Sequence, residues 1–197
     1  MPKIAKYNAA LQCYAHMIQA FSAEEVEKIR EIEELQTFQQ GIVGSSTMNP
    51  EDMKKARDSS VFFMNHDENT NWLYQKMGSL IGTANKDHFM YNVDDFGPMQ
   101  YTKYELNGHY TWHWDVFFGY QTNQRKISVV VMLNDPEDYE GGDFQICING
   151  NLDEIQTIRP KKGDALFFAS WMPHRVTSVT SGERNTLVTW VTGPRES

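Results

Sequence analysis

The sequence predicts an α+β protein, mainly β, in which supporting helices precede a double-stranded β-helix (jelly roll) core. Two apolar stripes at helical spacing occupy the first half of the 197 residues. After Phe96, short runs rich in Val, Ile, Thr and aromatic residues recur at regular intervals, which is typical of a sandwich or jelly roll. Since no linker separates the halves, we expect one domain over residues 1–197, with helical support over about 20–90 and the jelly-roll core over about 96–193.

Two helices are predicted from local signals. Ser22 followed by Glu25 is a capping-box pattern, and it opens a helix that extends to roughly Leu35. A second helix is predicted over residues 71–84. Its apolar residues recur at the helical period: Trp72, Leu73, Met77, Leu80, Ile81 and Ala84. We expect this stripe to pack in the core.

The segment between the helices is polar and rich in turn residues. Residues 44–60 are predicted to form a long loop with a helical turn after Pro50, serving either as a lid or as a solvated connection. Residues 57–64, RDSSVFFM, have the composition of a strand. Asp67 or Asn69 is expected to cap the second helix.

The strands of the second half are read from runs of β-forming residues between turn signals such as Asn-Gly and Gly-Gly. The runs are YTKYEL, HYTWHWDVFFGY, ISVVVML, GGDFQICI, ALFFAS, HRVTSV and TLVTWV.

Composition excludes several functions. The formal charge of −8 disfavours nucleic acid and anionic membrane partners. Cys13 and Cys147 could form one disulfide, but they suggest neither a disulfide scaffold nor a thiolate zinc site. Because no signal peptide or membrane-spanning run is evident, we expect a soluble, cytoplasmic protein.

A candidate metal site begins at His113 and Asp115. Residues i and i+2 of a strand point to the same face, so this imidazole and this carboxylate lie side by side. With six His and 26 acidic residues, about one such pair is expected by chance, and His66-Asp67-Glu68 is a second. The β context favours His113, whereas His66 lies in a polar stretch before a helix.

His174, at the start of a later predicted strand, is the expected third ligand. Two histidines and one carboxylate form the facial triad of non-haem iron(II) oxygenases. Ten residues further on, Arg184 shares a strand face with Thr186, Val188 and Trp190. An arginine facing a jelly-roll interior needs an anionic partner, and the distal carboxylate of 2-oxoglutarate would supply one, together with the Thr186 hydroxyl. The alternative is a surface arginine.

The combined pattern resembles the prolyl-4-hydroxylase-like (PKHD-type) iron(II) and 2-oxoglutarate dioxygenases over roughly residues 96–193. The pattern is Tyr104, Gly108, His113-x-Asp115, Leu133-Asn134, Gly141-Gly142, Pro173-His174-x-Val176 and Arg184. Animal collagen-type hydroxylases carry Lys in place of Arg184, which points to the bacterial or phage-like branch. A second cosubstrate-contacting tyrosine of some relatives has no counterpart in SVVVML.

The resemblance implies Fe(II), 2-oxoglutarate and O2 as cofactors, with ascorbate as an optional reductant. It implies that Tyr104 hydrogen-bonds the cosubstrate carboxylate, and that the enzyme hydroxylates an unactivated C–H bond, most naturally of a prolyl residue in a protein or peptide. Asp115 favours hydroxylation, since halogenases of this fold lack the carboxylate.

Two other functions stay open at this point: hydroxylation of a free small molecule such as an amino acid, and a non-catalytic jelly-roll binding module. The aromatic residues that flank the motif could line an apolar entrance or belong to the core: Tyr110, Trp114, Phe117, Tyr120 and Trp171.

Overall fold

The computed structural model describes residues 14–43, 48–116, 123–147 and 153–195. Its α-helices are α1 (Ala23–Glu33), α2 (Pro50–Ala56) and α3 (Asn71–Ala84), and a π-helical turn, Asn85–Phe89, extends α3. None of the helices in these ranges is both long enough and apolar enough to cross a membrane.

Both predicted helices are present. The capping box of α1 is confirmed, because the Glu25 backbone N–H donates to Ser22 Oγ at 3.2 Å and the Ser22 N–H donates to the Glu25 carboxylate at 2.8 Å. Helix α3 has the predicted bounds, but its N-cap is Thr70 rather than Asp67 or Asn69. The Asp67 carboxylate instead accepts the N–H groups of Asn69 and Thr70, closing a turn that leads into the helix.

The strands form two facing sheets and one short ribbon, and every pair is antiparallel. Their bounds are β1 (Tyr14–Met17), β2 (Gln39–Gln40), β3 (Arg57–Asp58), β4 (Ser60–Met64), β5 (Asp95–Phe96), β6 (Met99–Tyr104), β7 (His109–His113), β8 (Asn123–Met132), β9 (Tyr139–Gly141), β10 (Phe144–Cys147), β11 (Ile155–Ile158), β12 (Ala165–Ala169), β13 (His174–Val176), β14 (Val179–Gly182) and β15 (Arg184–Pro194). The larger sheet runs β1-β12-β8-β15-β6-β4-β2, with β5 on β15; the smaller runs β11-β10-β13-β7-β3; and β14 pairs with β9. This arrangement is the predicted jelly roll.

Strand β8 shows why the core has two layers. Ile127, Val129 and Val131 pack against the helices in one buried cluster, whereas Val130 belongs to a second cluster inside the jelly roll. A strand covered on both faces carries a continuous apolar run, which explains the sequence ISVVVML. Helices α1 and α3 therefore cover the outer face of the larger sheet and leave its inner face for the site.

The segment between the helices differs from prediction in two ways. The helical turn expected after Pro50 is present as α2 (Pro50–Ala56), but strands begin at Arg57, so the loop prediction is wrong from Arg57 onward; residues 44–47 lie outside the described ranges. The predicted strand over 57–64 is two strands, because β3 pairs with β7 in the smaller sheet and β4 pairs with β6 in the larger one. The first half thus supplies strands to both sheets.

Candidate active site

The paired strands β7 and β13 bring the two predicted histidines together. His113 lies directly opposite His174 in the register, and their ring centroids are 4.1 Å apart. Each Nδ1 faces a backbone carbonyl two residues earlier, that of Thr111 at 2.8 Å and that of Met172 at 2.9 Å. Since a carbonyl can only accept, each Nδ1 carries the hydrogen, which in a neutral imidazole leaves the lone pair on Nε2.

Asp115 completes the cluster. Its oxygens lie 3.8 Å from His113 Nε2 and 3.6 Å from His174 Nε2. The chain fixes it just beyond β7, because its backbone N–H donates to the Ser170 carbonyl at 2.8 Å. Its Oδ2 accepts a 2.7 Å hydrogen bond from Ser128 Oγ, which itself lies 2.9 Å from Ser170 Oγ. One ligand atom from each of the three residues falls within 4.8 Å of the others.

Electrostatics keep His113 and Asp115 in the protonation states that a metal needs. Burial, reinforced by the neighbouring His174, lowers the pKa of His113 to about 3, so its imidazole is neutral at physiological pH. Burial alone would raise the pKa of Asp115, but the two imidazoles and the Ser128 hydroxyl outweigh it and hold that pKa below the usual value. Neutral imidazoles and an ionised carboxylate are the ligand forms that bind metal.

The donor set suits iron. Two imidazole nitrogens and one carboxylate oxygen on one side of a cavity match the facial triad of non-haem iron(II) sites, which leaves other coordination positions open. His66, the rival considered from the sequence, hydrogen-bonds Asn71 and stacks on Tyr74. Among the described residues, no other group of three potential ligands comes together.

A narrow inner cavity of about 50 Å³ connects this cluster with Arg184. Arg184 is only 1% exposed, its Nε has no hydrogen-bond partner, and its Nη2 reaches only Met132 Sδ at 3.6 Å. No carboxylate among the described residues pairs with it. The surface-arginine alternative is therefore wrong, and a buried guanidinium without a counter-ion is suited to an anionic ligand.

Tyr104 and Thr186 line the same inner cavity. Tyr104 is paired with Arg184 across β6 and β15, and the guanidinium carbon lies 5.5 Å from the tyrosine ring centroid. Val188 and Trp190 also line the cavity, as the two-residue period predicts. Val130, from the segment SVVVML in which no second tyrosine is found, also lines the cavity.

The flanking aromatic residues have different positions. Tyr110 stacks on His113 with ring centroids 3.5 Å apart and lines the inner cavity. Trp114 is 54% exposed and lines a larger outer cavity, whereas Trp171, 45% exposed, lines neither. Phe117 and Tyr120 lie outside the described residues.

Sequence reasoning missed five polar residues of the site: Ser128, Ser170, Gln100, Thr102 and Arg57. Ser128 is the only polar residue in the run ISVVVML. A hydroxyl in an otherwise apolar run indicates a hydrogen bond to a buried polar group. Thr102 and Arg57 line the inner cavity from β6 and β3. Arg57 had no local signal, because only the pairing of β3 with β7 brings it here.

Comparison with known proteins agrees with this architecture. The family model of the 2OG-Fe(II) oxygenase superfamily matches residues 99–192. A PKHD-type hydroxylase of Psychrobacter sp. (strain PRwf-1) is 34% identical over 99 residues, covering 48% of this chain and 37% of that protein. A PKHD-type hydroxylase of Hyphomonas neptunium is 34% identical over 97 residues, covering 46% and 41%. The match thus spans about two fifths of the length of these curated relatives.

Solved structures share the fold over nearly the whole chain. The prolyl-4-hydroxylase of Pseudomonas putida has a TM-score of 0.71 at 17% identity, covering 96% of this chain and 99% of its own. A prolyl hydroxylase of Trichoplax adhaerens has a TM-score of 0.73 at 18% identity, covering 91% and 83%. At such identities the likeness shows the jelly-roll fold. The sequence matches cover the half of the chain that carries the candidate metal cluster, and there this chain is similar to proteins of the 2OG-Fe(II) oxygenase superfamily.

Proposed function

We propose that this chain is an iron(II)- and 2-oxoglutarate-dependent dioxygenase that hydroxylates an unactivated C–H bond. One observation carries the proposal: the His113, Asp115 and His174 ligand atoms open onto the inner cavity in which the unpaired guanidinium of Arg184 lies. A metal site and an anion site in one small cavity match a cosubstrate that chelates a metal at one end and carries a carboxylate at the other.

In this proposal, iron is held by Nε2 of His113, Nε2 of His174 and the carboxylate of Asp115. The chain prepares each ligand: backbone carbonyls fix both imidazole tautomers, and Ser128 orients the carboxylate. Bound iron and 2-oxoglutarate supply oxidative decarboxylation of the oxo acid to succinate and carbon dioxide, with one oxygen atom of O2 transferred to a substrate carbon.

Arg184, Tyr104 and Thr186 would hold the distal carboxylate of 2-oxoglutarate. The guanidinium can donate two parallel hydrogen bonds to a carboxylate, and the two hydroxyls add donors from neighbouring strands. Phe144, Val130 and Phe168 form apolar walls of this cavity. Apolar walls exclude water from the reacting atoms and strengthen the charge interactions inside.

For the substrate, we propose a prolyl residue of a protein or peptide. The curated relatives are PKHD-type hydroxylases, and the Trichoplax adhaerens structure is a prolyl hydroxylase in complex with a peptide fragment of a hypoxia-inducible factor. The outer cavity of about 540 Å³ offers far more room than the inner one, which supports a substrate that enters beside the exposed Trp114.

The test is iron-dependent conversion of 2-oxoglutarate to succinate by the purified chain, with ascorbate present as reductant. We expect turnover in the wild type and its loss, together with loss of iron binding, in His174→Ala. His66→Ala is the matched control, because His66 is exposed and hydrogen-bonds only Asn71. If the wild type bound no iron and formed no succinate even without a substrate, the proposal would be refuted.

A further inference from the structure

The outer cavity is lined by two of the three candidate metal ligands, His113 and Asp115. Its walls include the rings of Tyr110, Trp112 and Trp114 together with Arg57 and Arg125. We propose that it recognises a carboxylate of the substrate, which Arg57 binds with the assistance of Tyr110 and Arg125, close to the carbon that is hydroxylated. The inference rests on the proposed function and deepens it by naming an anionic substrate class.

Arg57 is a second buried guanidinium without a counter-ion. It is 6% exposed, its Nε donates to Ser59 Oγ at 2.8 Å, and its Nη1 donates to the Ile42 carbonyl at 3.1 Å. Both acceptors are neutral, and Nη2 has no hydrogen-bond partner in the described part of the chain. No described carboxylate lies within ion-pair distance of Arg57. Because burying an unpaired charge is costly, a bound anion would offset part of that cost.

The position of this guanidinium is fixed by its surroundings. Gly41 lies against it, and a Cβ at that position would be 2.6 Å from Arg57 Nε. The absent side chain leaves the space that the arginine fills, and its two hydrogen bonds set the direction of the guanidinium plane. A side chain that is already ordered loses little conformational entropy when it binds a ligand.

Tyr110 links Arg57 to the metal site. The Arg57 guanidinium carbon lies 4.7 Å from the Tyr110 ring centroid, and the same ring stacks on His113. The Tyr110 hydroxyl has no hydrogen-bond partner among the described residues. Arg125, whose guanidinium carbon lies 3.8 Å from the Trp190 ring centroid, lines the same cavity as Arg57 and Tyr110. A carboxylate beside this hydroxyl would therefore meet two cations and one neutral donor next to His113.

The charge of the cavity is opposite to that of the chain. The protein has 26 acidic and 18 basic residues, yet Asp115 is the only acidic residue among the described residues that line the outer cavity. Asp115 faces the two histidines, where a bound metal would compensate its charge. The field inside the cavity then favours anions and disfavours cationic side chains.

Two sources could supply the carboxylate: an acidic residue next to proline in a peptide, or the carboxyl group of a free amino acid. Both can be probed without turnover, because Trp112, Trp114 and Trp190 line the cavity and their fluorescence reports occupancy. The protein is loaded anaerobically with manganese(II) and 2-oxoglutarate. Acetylated dipeptide amides, glutamyl-proline and prolyl-glutamate, are compared with their glutamine counterparts, and L-proline is compared with L-prolinamide.

In the wild type, we expect the carboxylate member of at least one pair to bind on the order of tenfold more tightly than its amide. Arg57→Met should abolish this preference, whereas Arg159→Met, whose guanidinium pairs with Asp143, should retain it. A carboxylate preference in the dipeptide pairs identifies a carboxylate within a peptide as the ligand. A preference found only between L-proline and L-prolinamide identifies the carboxyl group of a free amino acid.

The inference is overturned if no carboxylate is preferred in the wild type, including the case in which no probe binds, or if Arg57→Met keeps the preference. Should Arg57→Met fail to fold, Arg125→Met replaces it, with a reduced preference expected because one of the two cations is removed. Manganese binding and succinate formation are measured on the same protein. If the wild type showed neither manganese binding nor succinate formation, the proposed function would be refuted. If the wild type showed both but had no preference for a carboxylate, only this inference would be refuted.

Discussion

Replacing Ser128 with alanine removes the hydroxyl that donates to Asp115. Ser128 is completely buried, and its Oγ lies 2.7 Å from Asp115 Oδ2. The change deletes one oxygen atom from the interior of β8 and leaves the backbone pairing of the strand untouched. Because the site is buried, water cannot easily replace the missing donor, so the carboxylate loses one hydrogen bond that orients it toward the histidines.

The size of the effect follows from the kind of bond. A hydrogen bond to a charged group contributes about 1.5–3 kcal/mol, and loss of a partner that orients a metal ligand typically weakens metal binding about 10–100-fold. Ser170 Oγ lies 2.9 Å from Ser128 Oγ and could approach the carboxylate in the variant. We therefore expect a value near the lower end, about tenfold weaker iron(II) binding.

The assay is an anaerobic iron(II) titration combined with succinate formation at limiting and at saturating iron. Ser128→Ala should need more iron for half-maximal activity and recover most of its turnover when iron is saturating. The Ser128 hydroxyl also contributes to the low pKa of Asp115, so its loss should raise that pKa. Protons then compete better with the metal, and the defect should grow as the pH falls.

Two variants calibrate the result. Ser170→Ala should have a smaller effect, because the Ser170 hydroxyl contacts Asp115 only through Ser128. Ser79→Ala, on the exposed face of α3, should have none. Equal iron affinity in Ser128→Ala and the wild type, with the fold intact, would mean that the hydroxyl does not orient the carboxylate.

Three further outcomes are expected. Arg184→Met should raise the 2-oxoglutarate concentration for half-maximal turnover by at least about tenfold and leave iron affinity unchanged; an unchanged concentration would exclude Arg184 as the cosubstrate anchor. In urea unfolding, the free energy of unfolding of the metal-free protein should fall as the pH is lowered from about 6.5 toward 3, by up to about 1.4 kcal/mol per pH unit. The reason is that the unfolded chain protonates His113 in this pH range and the folded chain does not. His113→Gln should make the free energy of unfolding less dependent on pH. Ser22→Ala should lower the free energy of unfolding by about 1 kcal/mol through loss of the α1 cap, with no change in iron affinity.

Local periodicity accounts for what could be predicted from the sequence. The bounds of α3 follow from its apolar stripe, and the i, i+2 rule places His113 beside Asp115 and Arg184 beside Thr186. Each of these relations is local in the sequence, although Asp115 lies just beyond the end of β7. The pairing of His113 with His174 is non-local, and it could be anticipated only because the chemistry of a metal site demands a third ligand.

Residues 57–64 show where such reasoning ends. They form one run of β-forming residues, yet Arg57–Asp58 joins the smaller sheet and Ser60–Met64 the larger one. The change of sheet at Ser59 depends on which strands arrive later in the chain, and nothing in the run itself encodes it.

The two buried guanidiniums differ in the same way. Arg184 is predictable because it lies ten residues after His174 across a short turn, so its strand returns beside the metal site. Arg57 is 53 residues from Tyr110 in the chain, and only the β3–β7 pairing sets it over that ring. The tertiary structure keeps the Arg57 guanidinium buried beside Tyr110, and this burial costs desolvation free energy. For Arg184 the proposed cosubstrate would account for that cost, and a substrate carboxylate would account for it at Arg57 in the same physical way.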